Sequence, residues 1–384
     1  MNEGENRLTE MPDRTPTEGT FELTIRCNLH CKMCLFRHDD SENTRIMKKE
    51  LSARQWIDMS RQVAEAGTLT LLITGGEPMI RPDFCEIWEG IYRHGFIITL
   101  YTNATLVTDK VMEALTKYPP HRIGVTIYGA SPETYKKVCG NANAFEQTLT
   151  GIRRLRKLPS KMEYRMAVIK DNYDDLDAVE ELLQKEFGPN AALTTTRIVT
   201  KAVRGGCADV EACRLPAETN CRLSFERTMK RIKNVLGDRF DEGYVSIGCD
   251  SSCQESGERI RLSLFGCNAG MKTYTVSWDG FLHGCLIMEA FKQEIRGDFL
   301  KAWEAFPYGV RLPEISEQCK QCSVAEFCFL CPAFRYAETG TFSEAPPYIC
   351  ADAMGFARTY ERCRMEQLSG RELAHRAAHI ANRR

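Results

Sequence analysis

Three cysteines, Cys27, Cys31 and Cys34, share one short stretch with C-x3-C-x2-C spacing, so three thiolates can point into one small volume. Soft thiolates select iron-sulfur clusters or zinc, and a four-iron cluster takes four ligands. Three protein ligands leave one iron open, and an open iron is where a small molecule coordinates. The spacing therefore predicts a cluster that does chemistry as well as moving electrons. A structural zinc site is the alternative, but zinc sites more often pair two C-x2-C knuckles, and no fourth ligand lies nearby. A second array begins with Cys267 and Cys285, continues as Cys319-x2-Cys322-x5-Cys328-x2-Cys331 and ends at Cys350. Cysteines so spaced are not core filler.

The whole chain carries 18 cysteines, too many for packing alone and too sparse for a secreted disulfide scaffold. Its first residues are polar and acidic, unlike a signal peptide, so disulfides are not expected, metal is, and a cytoplasmic location follows. With 51 basic and 52 acidic residues, no global field draws the chain to nucleic acid or a membrane surface. The apolar runs are strand-sized, far short of the roughly 20 residues a bilayer requires.

The elements that position these residues follow a strand, helix, strand rhythm. Phe21 to Arg26 reads as a strand ending at the cysteine loop, and Arg37 to Lys49 as a polar loop. Ser52 and Gln55 form a capping-box pattern for a helix that Gly67 stops. An apolar strand from Thr68 to Ile73 delivers Thr74-Gly75-Gly76-Glu77-Pro78 at its C-terminal end, where parallel α/β folds place ligands. The two glycines allow close backbone approach to a ligand, and Glu77 offers a negative group suited to an ammonium. Further strands are expected at 96–101, 123–127, 164–169 and 192–199, with intervening helices, one of them capped by Ser131 and started by Pro132. Farther on, Thr273 to Ser277 reads as a short strand, and Asp279-Gly280 as a hairpin turn before a second.

The Cys27-x3-Cys31-x2-Cys34 motif after a first strand, followed by Gly75-Gly76-Glu77-Pro78, resembles the radical S-adenosylmethionine (SAM) superfamily. One departure is Met33, where that family usually has an aromatic residue; it is a soft substitute able to pack on the adenine. The resemblance implies an α/β fold with a partial (β/α)6 TIM-like barrel over residues 21–200. It also implies a four-iron cluster whose open iron is chelated by SAM, which reductive cleavage turns into a 5'-deoxyadenosyl radical. Glu77 and its neighbours would hold the SAM amino group. Asn103, in a segment similar to the family's Thr-Asn-Gly, and Thr126, where a Ser or Thr commonly meets the ribose, would complete the SAM site.

The second cysteine array resembles the SPASM domain, a small Cys-rich α+β extension of radical SAM proteins that binds two auxiliary four-iron clusters. By that resemblance, one cluster takes Cys319, Cys322, Cys328 and Cys350. The other takes Cys267, Cys285 and Cys331, with a fourth ligand upstream, where Cys249 and Cys253 both qualify and Cys253 is preferred. If neither binds, that cluster has an open iron for a substrate sulfur. The run ends x2 rather than the usual x3 before Cys331. The implied organisation is a loose tail over 1–20, the barrel, a bridging helical region over 201–248, the cluster domain over 249–360 and a basic C-terminal helix over 361–384. Cys85, Cys139 and Cys363 read as free thiols, and Cys207, Cys213 and Cys221 either as free thiols, the favoured reading, or as lining the barrel mouth.

The expected activity is hydrogen abstraction from a peptide or protein side chain, leading to a thioether, a carbon-carbon crosslink or an oxidised residue. The partners would be that substrate and a low-potential donor of flavodoxin or ferredoxin type. The short N-terminal segment leaves no room for a leader-binding winged helix, which would assign leader recognition to a separate protein or to another surface. Sulfatase maturation is an alternative, although its base, an Asp, is replaced by Leu286-Ile287-Met288 after Cys285. Modification of a small cofactor precursor is another. An electron carrier or zinc protein is the non-enzymatic one, for which a SAM-like Gly-Gly-Glu-Pro site has no use.

Overall fold

Six strands lie in sequence order as one parallel sheet: β1 (Glu18–Glu22), β2 (Thr70–Thr74), β3 (Ile97–Thr102), β4 (Arg122–Thr126), β5 (Lys161–Ala167) and β6 (Leu193–Thr196). Helices fill the crossovers: α1 (Asn43–Lys49), α2 (Ala53–Glu65), α3 (Phe84–Tyr92), α4 (Asp109–Lys117), α5 (Pro132–Cys139), α6 (Ala144–Leu155) and α7 (Leu176–Phe187). This computed structural model describes residues 14–196, 198–201, 203, 204, 206, 208–236, 267–307, 315–328 and 331–361.

Alternation along each strand sets the layers. Phe21, Ile73, Ile98, Leu100, Ile123 and Val125 are buried toward the helices, as where Phe21 packs on Trp56 with ring centroids 5.0 Å apart. The interleaved Leu72, Thr99, Tyr101 and Thr126 are half-buried on the opposite face. That face is where the strand ends present chemistry. The Ser52–Gln55 capping box starts α2, and Ser131 caps α5 with Pro132 at its first position, as their residue types predict.

Two expectations need correction. Residues 18–20 belong to β1 rather than to a loose tail, and β1 ends at Glu22, not Arg26. Pairing supplies what the short polar sequence lacks, because β1 is flanked by β2 on one edge and by β7 (Thr273–Val276) on the other, both parallel to it. The polar stretch 37–49 is not a loop throughout: Asp39 caps a 3-10 turn, and α1 follows, anchored by buried Ile46. One apolar side chain per two turns is too weak a period to read from sequence.

Beyond β7 the sheet continues antiparallel through β8 (Phe281–His283) and β9 (Lys292–Glu294), giving nine strands in the order β6-β5-β4-β3-β2-β1-β7-β8-β9. The cysteine-rich C-terminal region is thereby attached to the free edge of the first barrel strand. The helix Ala217–Leu236 occupies part of the bridging region. The basic C-terminal helix, most of the segment before Cys267, and Arg197 lie outside the described residues. Among the described residues no helix is long and apolar enough to cross a membrane.

Candidate active site and cysteine-lined cavities

After Glu22 the chain leaves β1 and runs beside the Gly-Gly-Glu turn that follows β2. Leu23 N donates to Thr74 O (2.9 Å), Gly76 N to Thr24 O (2.7 Å) and Glu77 N to Arg26 O (2.9 Å). A Cβ on Gly75 would lie 2.2 Å from Thr24 O, and one on Gly76 2.3 Å from Arg26 O. The two glycines thus admit the backbone leading to the cysteines, where the sequence pointed to a ligand. Across the loop, His30 N and Lys32 N donate to the carbonyls of Cys139 and Val138 at the C-terminus of α5, each at 3.0 Å. Asn28 Nδ2 donates to Thr105 Oγ1 (2.8 Å), and Asn103 Nδ2 donates to Asn28 Oδ1 (3.0 Å) and reaches Cys27 Sγ (3.7 Å).

A buried ion network supports this loop from the side of α1. Arg26 makes a two-pronged pair with Glu50, both contacts 2.9 Å, and Thr24 Oγ1 donates to the same carboxylate. Arg81 sits 3.5 Å from Glu50, donates to Leu23 O and Leu51 O, and pairs with Asp83. Sequence reading missed all three of Arg26, Glu50 and Arg81, because charges scattered over so many residues carry no spacing signal. Glu50→Ala leaves two buried guanidiniums short of their anion, and we expect it to destabilise folding by about 3–5 kcal/mol. Anaerobic urea unfolding measures this; a change within about 0.5 kcal/mol would contradict it.

The three cysteines emerge into largely buried positions, and Met33 between them packs in the core. Burial pushes the Cys27, Cys31 and Cys34 thiols above their usual range, and Cys31 feels both other sulfurs. Desolvation outweighs the one opposing cation, Arg37 beside Cys34, so the thiols favour protonation until a metal replaces the protons. Among the described residues no three His, Cys, Asp or Glu side chains gather tightly enough to chelate one metal ion. Ligands of a four-iron cluster each bind a different iron and stand farther apart than the ligands of one zinc ion.

Glu77 is fully buried, and its carboxylate is consumed by the protein. It accepts from Met79 N (3.1 Å), Asn103 N (2.7 Å) and Thr102 Oγ1 (2.9 Å to each oxygen). Burial raises its pKa to about 7 against the pull of these donors. This side chain ties the end of β2 to the end of β3, and Pro78 opens a 3-10 turn behind it. Asn103 is nearly buried beside Cys27, and Ala104 adopts a left-handed φ of 60° where the similar motif has Gly. Thr126 ends β4 opposite Arg165, whose guanidinium lies 4.7 Å from the Tyr101 ring centroid on the same face. Asn172 is a buried brace, bonded to Ile169 N, Tyr128 O and Ala167 O.

In the C-terminal region the cysteines fall into two neighbouring groups. Cys319, Cys322, Cys328 and Cys350 line one cavity. Cys285 and Cys331 lie within electrostatic reach of each other and of Cys267. Burial raises Cys285 and Cys328 to about 11 each, and neighbouring sulfurs add to the shift. An adjoining cavity is bordered by Cys331 together with Cys319, Cys328 and Cys350, so the groups are contiguous. Arg335 Nη2 approaches Cys319 Sγ at 4.0 Å. Cys249, Cys253, Cys207 and Cys363 lie outside the described residues. Cys139, Cys213 and Cys221 are buried and Cys85 half-buried, their sulfurs donating to backbone carbonyls.

A further cluster, unforeseen from sequence, joins the two regions. Arg204, after β6, pairs with fully buried Glu22 of β1 and with Glu289 (3.2 Å), which follows β8. Arg204 N donates to Leu35 O (3.1 Å), and its guanidinium covers Phe36 at 5.1 Å. Desolvation raises Glu22 to about 7, opposed by Arg204, and lowers His283 to about 4, with Arg204 adding to the effect. The one sequence clue was Glu22 itself, an acid within a strand of buried neighbours.

A family model described as the radical SAM superfamily matches residues 21–183, from the last residues of β1 into α7. An AdoMet-dependent heme synthase of Methanosarcina barkeri (strain Fusaro / DSM 804) is 30% identical over 344 residues, covering 85% of this chain and 94% of its own. An Fe-coproporphyrin III synthase of the same organism is 29% identical over 277 residues, 68% of this chain and 67% of its own. The fold is similar to that of Streptococcus suis SuiB bound to its precursor peptide SuiA, with a TM-score of 0.66 at 16% identity over 88% of this chain and 76% of that one. A cysteine loop pinned against the Gly-Gly-Glu turn at the C-terminal edge of a parallel sheet, together with near full-length likeness to a SAM-dependent enzyme, makes the chain a member of the radical SAM superfamily.

Proposed function

We propose that this radical SAM enzyme modifies a small cofactor precursor of the iron-tetrapyrrole class rather than a peptide. The observation that carries this reading is the extent of the heme synthase likeness, which runs far past the residues matched by the family model into the cysteine-rich region. Peptide maturation rests on likeness of fold alone, at 16% identity to SuiB. SAM and a reduced four-iron cluster supply hydrogen abstraction by a 5'-deoxyadenosyl radical, and the chain supplies position and exclusion of water. Cys27, Cys31 and Cys34 would hold that cluster, with SAM along Gly75 to Pro78, Asn103 and Thr126.

In the same reading, Cys319, Cys322, Cys328 and Cys350 bind one auxiliary four-iron cluster, and Cys267, Cys285 and Cys331 a second, completed by Cys253 or Cys249. The grouping of the described sulfurs supports this division. Arg335, near Cys319, is suited to raise a cluster's potential by donating toward a sulfur. The test is anaerobic incubation of reconstituted, reduced protein with SAM and Fe-coproporphyrin III. We expect 5'-deoxyadenosine together with a porphyrin of altered mass. Cys322→Ala, if soluble and folded by circular dichroism, should keep 5'-deoxyadenosine formation while porphyrin turnover falls to background. Turnover of a short peptide with no change in any iron porphyrin would overturn the proposal in favour of peptide maturation.

A further inference from the structure

We infer that the pocket bounded by α1, the Val203–Arg204 segment and the turn at Trp278–Asp279 is the subsite for a carboxylate arm of the substrate, gripped by Arg204 and Lys49. The inference deepens the proposed function and rests on it. The pocket measures about 380 Å³ and abuts Ile25, two residues before the first cysteine of the motif. That volume falls in the range of small-ligand sites. Part of its mostly polar lining is apolar: Ile25, Ile46 and Trp278, which pack with Phe36, offer a patch suited to the edge of a flat macrocycle.

The charges around that patch are unequally engaged. The acids are occupied: Glu42 accepts from Arg45 (3.0 Å), Asp279 from Ser277 Oγ (2.7 Å), and Glu289 from Arg204 and Lys292 (2.6 Å). Lys49 is exposed on the pocket rim and has no acidic partner among the described residues. The Arg204 side chain is only 10% exposed, yet its Nε is buried with no acceptor among the described residues, and Oε2 of Glu22 beside it is likewise unpartnered. A buried donor left unmade costs about 1–3 kcal/mol. An incoming carboxylate meets the Arg204 guanidinium, which lines the pocket, and Lys49 at its rim. Iron-coproporphyrin combines an apolar macrocycle with carboxylate arms, which is the combination this lining accommodates.

The test titrates the holoenzyme with Fe-coproporphyrin III and with its methyl ester, in which the same macrocycle has no anionic arms. Binding is followed by the porphyrin absorbance. We expect wild type to prefer the free acid, and Arg204→Gln to weaken that binding by about 10- to 100-fold while leaving the ester nearly unchanged. Because Arg204 also pairs with Glu22, Lys49→Gln provides a variant on an exposed side chain; it should weaken the acid by about 3- to 5-fold and not the ester. Circular dichroism and iron content identify any misfolded variant. Equal affinity of Lys49→Gln and wild type for the acid, or equal affinity of wild type for acid and ester, would overturn the subsite while leaving the substrate class standing. Wild type that binds neither form would remove the substrate class and the subsite with it.

Discussion

Replacing Cys27, Cys31 and Cys34 together by Ala should remove about four irons per chain and reduce 5'-deoxyadenosine formation to background, while the iron proposed for the C-terminal cysteines is retained. The effect is large because the three sulfurs are the only cysteines of their loop, and that loop is held on both sides by the protein's own backbone. Taking away the thiols leaves this scaffold in place, so the loss falls on chemistry more than on folding. Iron and sulfide analysis after anaerobic reconstitution, with SAM turnover under dithionite, measures both. Full iron loading, or zinc in place of iron and sulfide in the wild type, would contradict the cluster assignment.

Gly75→Ala is expected to be nearly as damaging without touching a ligand. Gly75 has φ 143°, a conformation L side chains rarely adopt, and an added Cβ would lie 2.2 Å from the backbone oxygen of Thr24. The obstacle is main chain, not the end of a flexible side chain, so it yields only if the segment carrying Thr24 moves. Backbone strain and overpacking together should destabilise the fold by about 2–4 kcal/mol. The displaced loop should lose most of its cluster iron and SAM turnover. Gly90→Ala serves as the contrast, since its added Cβ would meet side-chain atoms of Ile57 rather than main chain. Wild-type iron content and turnover in Gly75→Ala would show that the close approach is not required.

The sequence by itself determined the chemistry-bearing residues of the first loop, the parallel strand series and the two helix starts at Ser52 and Ser131. Each of these is written locally, in ligand spacing, in apolar runs or in a cap and its partner three residues on. Capping and cysteine spacing operate within a single turn of chain, so no distant contact is needed to recognise them. The bounds of β1 were not legible, because Glu18 to Thr20 become strand only through β2 and β7, one some fifty residues away and the other about 250.

Only the tertiary structure decided what several of those residues do. Glu77 reads as a free carboxylate in sequence, but folding surrounds it with the Met79 amide of its own turn and the Asn103 amide and Thr102 hydroxyl of the next strand end. The glycines before it face backbone, since β1 and β2 are neighbours whose ends must pass within contact distance. Likewise, the ion network of Arg26, Glu50 and Arg81 and the link from Arg204 to Glu22 and Glu289 join charges far apart in the chain. A charge has no periodicity and no fixed partner spacing, so its role is set by what the sheet brings beside it and by how much water that neighbour excludes.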